Sequence, residues 1–346
     1  MEKFTVEKTN LCKGVAILIM LFHHLFFRPE SWPLYFYKIK LGSTPLIGYI
    51  ASQGKICVSI FVFLSAYGLT LSVRKKNKQG GGKHIAERYA SFVISHIKKL
   101  YMLYWPVFIL AMLAGIVFRV SNPFDIYCSF GEWIKDFLGV EYIFDGKTPF
   151  NSEWWYISFA ITLYAIFPVL YSFMRRFPKS TLVISFLVGI KPVSSIMILM
   201  EWKRYLFVSC LGIYFAENDL FSEMIFKKNK SSRIMLSILC CFVFFGIRIA
   251  HPFTFDGILV IAVIVLSTSM IEHGSVTCNT LVSLGKYSGT MYVLHGLLYR
   301  NFARGFIYGF KYPLFIYLAL VILTYSISAF VDQAKSCTFK MINMKI

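Results

Sequence analysis

Leu11-Cys12-Lys13-Gly14-Val15-Ala16-Ile17-Leu18-Ile19-Met20-Leu21-Phe22-His23-His24-Leu25-Phe26 is the stretch on which the fold turns. Every residue between Lys13 and His23 is apolar or glycine. Such a run matches the roughly 17–25 residues with which a helix crosses a hydrocarbon core of about 30 Å. Lys3, Lys8 and Lys13 precede it as in a signal peptide, yet no small-residue cleavage site follows Phe27. The segment is expected to remain as a first membrane span.

The rest of the chain agrees with that start. Of 346 residues, 57% are hydrophobic and only 15% charged, and the mean hydropathy is +0.63. Soluble domains run at roughly 45–50% apolar and 25% charged. Apolar segments at about 11–28, 54–73, 101–119, 153–173, 180–198, 203–217, 234–250, 257–271, 285–302 and 314–331 predict an all-α, polytopic bundle of about ten transmembrane helices, with residues 1–346 forming one domain. Lys191-Pro192 interrupts the fifth segment and predicts a kink there.

The formal charge of +19 comes from short basic clusters between apolar spans. There it biases topology and attracts anionic lipid, so a nucleic-acid partner is not expected. The dense clusters fall on one side of the ten-span arrangement, which predicts both termini in the cytoplasm and residence in the cell membrane. Arg74 to Lys83 reads as a basic, glycine-rich cytoplasmic loop. After it, Ile85, Tyr89, Phe92, Val93, His96, Ile97 and Leu100 recur at helical spacing, predicting an interfacial helix that completes the 74–100 segment. Residues 120–152 carry acidic residues among aromatics and read as an external cap. The eight cysteines show no CxxC pair and no zinc spacing, so they are read as packing residues and no metal is expected.

Ionisable groups at membrane depth are costly and are candidate functional groups. Lys13 and His24 are eleven residues apart, which returns them to nearly one helix face about 16 Å apart along the axis. His23 points about 100° away. An imidazole can take a proton from a hydroxyl near neutral pH, and a fixed cation can hold a phosphate. An anchoring lysine and a packing histidine would also account for the pair. His295, by counting, lies at a depth similar to His24. It is a candidate cavity-lining residue together with Ser65, in a small-residue patch, and Glu153, before Trp154-Trp155-Tyr156.

Four motifs carry a resemblance. Lys13…His24 with ten intervening residues, Phe61-Val62-Phe63-Leu64-Ser65-Ala66-Tyr67-Gly68, Ser95-His96-Ile97-Lys98-Lys99-Leu100-Tyr101 and Gly285-Lys286-Tyr287-Ser288…His295 occur in this order. Together they resemble the acyltransferase-3 family of transmembrane acyltransferases. The resemblance implies an O-acyltransferase that moves an acetyl or other short acyl group from cytoplasmic acetyl-CoA to a hydroxyl of a cell-surface or lipid-linked glycan. His24 would be the catalytic base, Lys13 its basic partner, and Lys13, His96 and Lys99 the donor-binding groups. His96 and Lys99 stand where the family has two arginines, so bidentate phosphate binding is lost. Ala66 replaces a glycine and Met102 a common proline. A transporter or flippase for a lipid-linked glycan is the alternative, since a broken span and buried histidines would serve it too.

Overall fold

The computed structural model describes residues 4–78, 85–190, 196–226 and 229–343. The glycine-rich turn at 79–84 and the Lys191-Pro192 interruption lie outside the described residues. Among the described residues ten long helices form the bundle: α1 Val6–Phe26, α2 Ile56–Lys78, α3 Ile85–Phe118, α4 Trp155–Arg176, α5 Pro178–Ile190, α6 Met197–Glu217, α7 Lys230–Ala250, α8 Asp256–Met270, α9 Val276–Leu297 and α10 Pro313–Asn343. A two-residue ladder, Lys40–Leu41 with Thr44–Pro45, interrupts the loop after α1.

Each expected span has a helix at its place, but not all meet the length and hydropathy of a crossing. Among the described residues six candidate spans do: Val6–Phe26, Leu46–Lys75, Tyr89–Phe118, Ser152–Arg176, Lys230–Ala250 and Pro313–Ser336. Pro178–Ile190 and Asp256–Met270 are apolar but shorter. α6 and α9 are long enough and too polar. Both lie inside, α6 packed along α2 and α9 along α1, so their polar side chains meet protein, where membrane proteins tolerate them. The most apolar share of α7 is 11% buried against 56% for α1. The bundle thus has an inner set of helices with polar faces and an outer set with apolar ones.

The segments read as an interfacial helix and a third span are one continuous helix, α3. At 1.5 Å per residue it is about 50 Å long, longer than the roughly 30 Å hydrocarbon core. Residues 123–145 fold back onto it as short helices, Pro123–Ile126, Phe130–Phe137 and Glu141–Asp145. Tyr101, Tyr104 and Trp105 of α3 donate hydrogen bonds of 2.9, 2.8 and 2.9 Å to the carbonyls of Leu138, Asp136 and Phe137. Carbonyls at the end of a short helix, which lack the full set of helical partners, thereby gain side-chain donors, that of Asp136 in addition to the Gly139 amide.

Lipid supplies no hydrophobic drive between helices, so small residues that let backbones approach become the means of packing. At Gly14 an added Cβ would stand 2.0 Å from the Leu281 carbonyl oxygen, and at Gly285 one would stand 1.8 Å from that of Asn10. α1 and α9 run parallel, since Cys278 meets Glu7 near their starts and His24 meets His295 near their ends, and they cross backbone to backbone, each glycine seated against the other helix one turn earlier. Thr5 opens α1 by accepting from the Lys8 amide at 3.2 Å, and Ser275 opens α9 by accepting from that of Cys278 at 3.1 Å. These caps satisfy amides that the first turn leaves free.

Candidate active site

The glycine crossing sets the site. His24 lies ten residues after Gly14 and His295 ten after Gly285, so two parallel helices in this register carry both imidazoles at one level. Their ring centroids are 4.8 Å apart. His24 occupies the last turn of α1, nearer its end than its middle, and Lys13 lies well back along the same helix. His23 turns away. It is buried with Nδ1 2.7 Å from the Ala51 carbonyl oxygen.

Glu153 is the group on which the site converges. It sits in the short turn Ser152–Trp154 that leads into α4, its carboxylate 3% exposed. Oε2 is 3.3 Å from His24 Nδ1. Oε1 accepts from Arg28 at 3.2 Å and Tyr299 at 3.1 Å, with Arg300 at 3.4 Å. The backbone is held as firmly: Tyr292 donates to the Glu153 carbonyl, and Trp154 Nε1 donates to that of Val293 at 3.0 Å. Gly296 makes room for this approach, since a Cβ there would lie 2.9 Å from Glu153 Cγ and 2.5 Å from Asn151 Oδ1. A buried carboxylate demands such pairing, because an isolated one is expelled or neutralised.

The surroundings favour particular proton positions. A carboxylate 3.3 Å from Nδ1 favours the tautomer in which His24 carries its proton there and leaves Nε2 as the basic nitrogen, as a carboxylate does for a catalytic histidine. His295 Nδ1 donates to the Tyr292 carbonyl at 2.6 Å. Its Nε2 is then an acceptor, and it is buried with no hydrogen-bond partner.

A cavity of about 470 Å³ joins this cluster to Lys13. Asn10, Lys13 and Lys286 line one end, Ser65, Leu103 and Tyr156 the middle, and Arg28, Lys55 and Glu153 the other. Of the residues expected from the sequence, the structure gathers Lys13, His24, Ser65 and Glu153 around one cavity, with His295 against His24. It does not bring His96 and Lys99 to the wall. Both stand on α3 toward its start, two turns and one turn before Leu103 respectively; His96 Nδ1 is 2.8 Å from the Phe92 carbonyl oxygen and Lys99 is exposed.

Several groups at the site were not anticipated. Arg28 follows His24 by four residues and Tyr299 follows His295 by four, so each is one turn beyond its histidine and could have been found by that spacing. Arg300 could not. It reaches Glu153 beside Tyr299 because Leu298–Phe302 is a π-helical turn, which the sequence does not announce. Lys55 was not singled out, and Lys286 appeared only within the Gly285-Lys286-Tyr287-Ser288 motif.

His24, Glu153 and His295 offer metal-ligating atoms within 4.8 Å of one another. A dication there would face two guanidinium groups already on the same carboxylate, so the set suits proton transfer better than metal binding. Glu7, His273 and Cys278 form a similar group near the start of α1, with His273 exposed.

The cap walls the cluster through Trp154, whose ring lies 5.0 Å from that of Tyr104. Burial pushes the Asp136 carboxyl up to about 6, opposed by the Tyr127 hydroxyl bonded to it. Burial, with Asp145 beside it, pushes Glu141 up to about 7, opposed by Lys135 at 3.5 Å.

No curated protein and no solved structure matches the chain. A family model does: the acyltransferase domain of the acyltransferase-3 type covers residues 7–332. That span holds every group of the cavity described above, and the chain belongs to the acyltransferase-3 family of membrane acyltransferases.

Proposed function

We propose that this protein transfers an acetyl or other short acyl group from acyl-CoA to a hydroxyl of a cell-surface or lipid-linked glycan, with His24 as general base. The observation that carries this is the His24 Nδ1 to Glu153 contact of 3.3 Å at one end of a cavity whose other end holds Lys13. In this reading the acceptor hydroxyl sits at His24 Nε2. As its oxygen attacks the thioester carbonyl, Nε2 takes the proton and Glu153 stabilises the imidazolium that forms. The C–S bond then breaks, the ester is formed, and the imidazolium returns its proton to the departing thiolate. Tyr299 and the two arginines hold the carboxylate in place. His295, buried against His24 and off the cavity wall, offers its unpartnered Nε2 as an acceptor for a bridging water.

Lys13 and Lys286 at the opposite mouth serve the phosphates of the donor, with His96 and Lys99 further along α3 as the landing for its nucleotide end. Lysine suits this as a point charge that does not require fixed bidentate geometry. With both termini in the cytoplasm, the lysine end faces the cytoplasmic donor and the His24 end faces the acceptor. Family membership lends the transporter alternative no support.

Membranes containing the protein are expected to transfer radiolabel from acetyl-CoA to glycan and to release coenzyme A only when an acceptor hydroxyl is present. Glycan movement across the membrane without thioester consumption would contradict the reading.

A further inference from the structure

The acyl-transfer reading leaves one cation of the cavity unused. Lys55, in the short link between the helix Leu46–Gln53 and α2, lines the cavity at the His24 end together with Trp155, and Tyr156 follows toward the middle. Its ammonium lies 5.4 Å from the centre of the Phe253 ring and 6.0 Å from that of Trp155. Two further cations meet the same Phe253 ring, Arg204 at 5.0 Å and Arg248 at 5.5 Å. Each of those has its own carboxylate. Arg204 pairs with Glu201 at 2.5 Å, and Arg248 pairs with Asp256 at 2.8 Å. Among the described residues Lys55 has no carboxylate within ion-pair distance: aromatic faces flank it, and Glu201, already paired with Arg204, acts on it only from further off.

The surrounding charge count sharpens the point. Arg28, Lys55, Arg204, Arg248 and Arg300 stand around Glu153, Glu201 and Asp256, five cations to three carboxylates. A structural cation in a partly dry site is ordinarily paired, because a half-desolvated ammonium facing rings alone keeps most of its desolvation cost. A cavity wall with an aromatic plane and an unpaired ammonium next to it matches a sugar ring that carries an acidic substituent.

We infer that the Lys55 end of the cavity is a subsite for an anionic glycan acceptor, with Trp155 and Tyr156 taking the ring face and Lys55 the acidic group. The inference rests on the acyl-transfer reading for which ligand is the acceptor, but the binding it predicts does not depend on catalysis. Lys55 presents a compact point charge, which serves a carboxylate or a phosphate alike.

The test is calorimetric titration of the full-length protein in zwitterionic-lipid nanodiscs with a glucuronate-containing disaccharide, the same disaccharide with its carboxyl reduced to an alcohol, and a phosphorylated glucose. The acidic disaccharide, the phosphorylated sugar or both are expected to bind roughly tenfold or more tighter than the neutral one, as for a contact to a charged group. Lys55→Met should erase the preference and Lys55→Arg should keep it. Which acidic probe binds better names the substituent. Equal affinities in the wild type, no binding of any probe, or a preference that survives Lys55→Met would each overturn the subsite. Acceptor-dependent release of coenzyme A, followed in the same preparation, separates the two ideas: its absence beside an intact acid preference rejects acyl transfer alone, and its presence without that preference rejects the subsite alone.

Discussion

At one end of the α1–α9 pair the backbones touch, and at the other only side chains do. Gly14 and Gly285 seat each helix against the carbonyls of its partner, with Lys13 and Lys286 at the adjoining cavity mouth. Ten residues on, His24 and His295 meet across the same pair, and Glu153, Arg28, Tyr299 and Arg300 close around them. The glycine end is rigid and makes no chemistry. The histidine end holds groups that can move a proton, and it owes its geometry to the register fixed below. The comparison teaches that depth in the membrane is set at the crossing and that reactivity is set by what the following turns bring to Glu153.

The sharpest way to break that division is at the carboxylate. Glu153→Gln should lower acyl transfer by roughly 10²–10³-fold, because an amide no longer fixes the proton on His24 Nδ1 or stabilises the imidazolium. Initial rates in detergent-solubilised protein check this. A variant within twofold of wild type would show that Glu153 only packs.

Next comes the crossing. Gly285→Ala places a methyl against the Asn10 carbonyl and should cost about 1–3 kcal/mol, as overpacking does, while also lowering activity by shifting His295 from His24. Gly246→Ala on α7, where nothing lies within 4 Å of the added carbon, should leave the melting temperature unchanged or slightly raised, since alanine is the better helix former. Thermal unfolding followed by intrinsic fluorescence compares the two. Equal effects would mean that the glycine contact does not set the register.

At the lysine mouth, Lys13→Met and Lys286→Met should raise the KM for acetyl-CoA by roughly tenfold, about 1.4 kcal/mol, and leave kcat nearly as it was. A fall in kcat at unchanged KM would move these lysines from donor binding to the reaction itself.

The smallest effect belongs to the cap. Asp136 and Glu141 have carboxyls raised to about 6 and about 7 from ordinary values of 3.8 and 4.5. The folded state therefore binds these protons more tightly than the unfolded chain. The stability they contribute is present in acid and is lost as pH rises from about 4 through 7. The melting temperature should fall by a few degrees over that interval, and Glu141→Gln should flatten the upper part of the curve. A melting temperature that rises with pH there, unaltered in the variant, would contradict the cap's role.

The sequence made α1 and its Lys13/His24 face legible because helical geometry converts a spacing directly into a shared face. It also placed His295 near the depth of His24, although the reason, two glycines in matching register, appears only in the packing. The number of crossing helices was less readable. α6 and α9 are polar for their length, and a sequence cannot show that neighbouring helices, not lipid, surround them. The continuity of α3 was hidden by the change from an amphipathic to an apolar pattern at Leu100, where no helix breaker stands. Glu153 was visible only as a residue at a span end. Its partners come from two distant segments, residues 24–28 and 292–300, and one of them, Arg300, arrives through a π turn.

One assay bears on the base itself. Single-turnover transfer of label from acetyl-CoA to glycan should fall by roughly 10³-fold in His24→Ala, with expression, melting temperature and donor binding unchanged, and His23→Ala should retain most of its activity wherever it folds. Transfer by His24→Ala at the wild-type rate would contradict the assignment of His24 as the base.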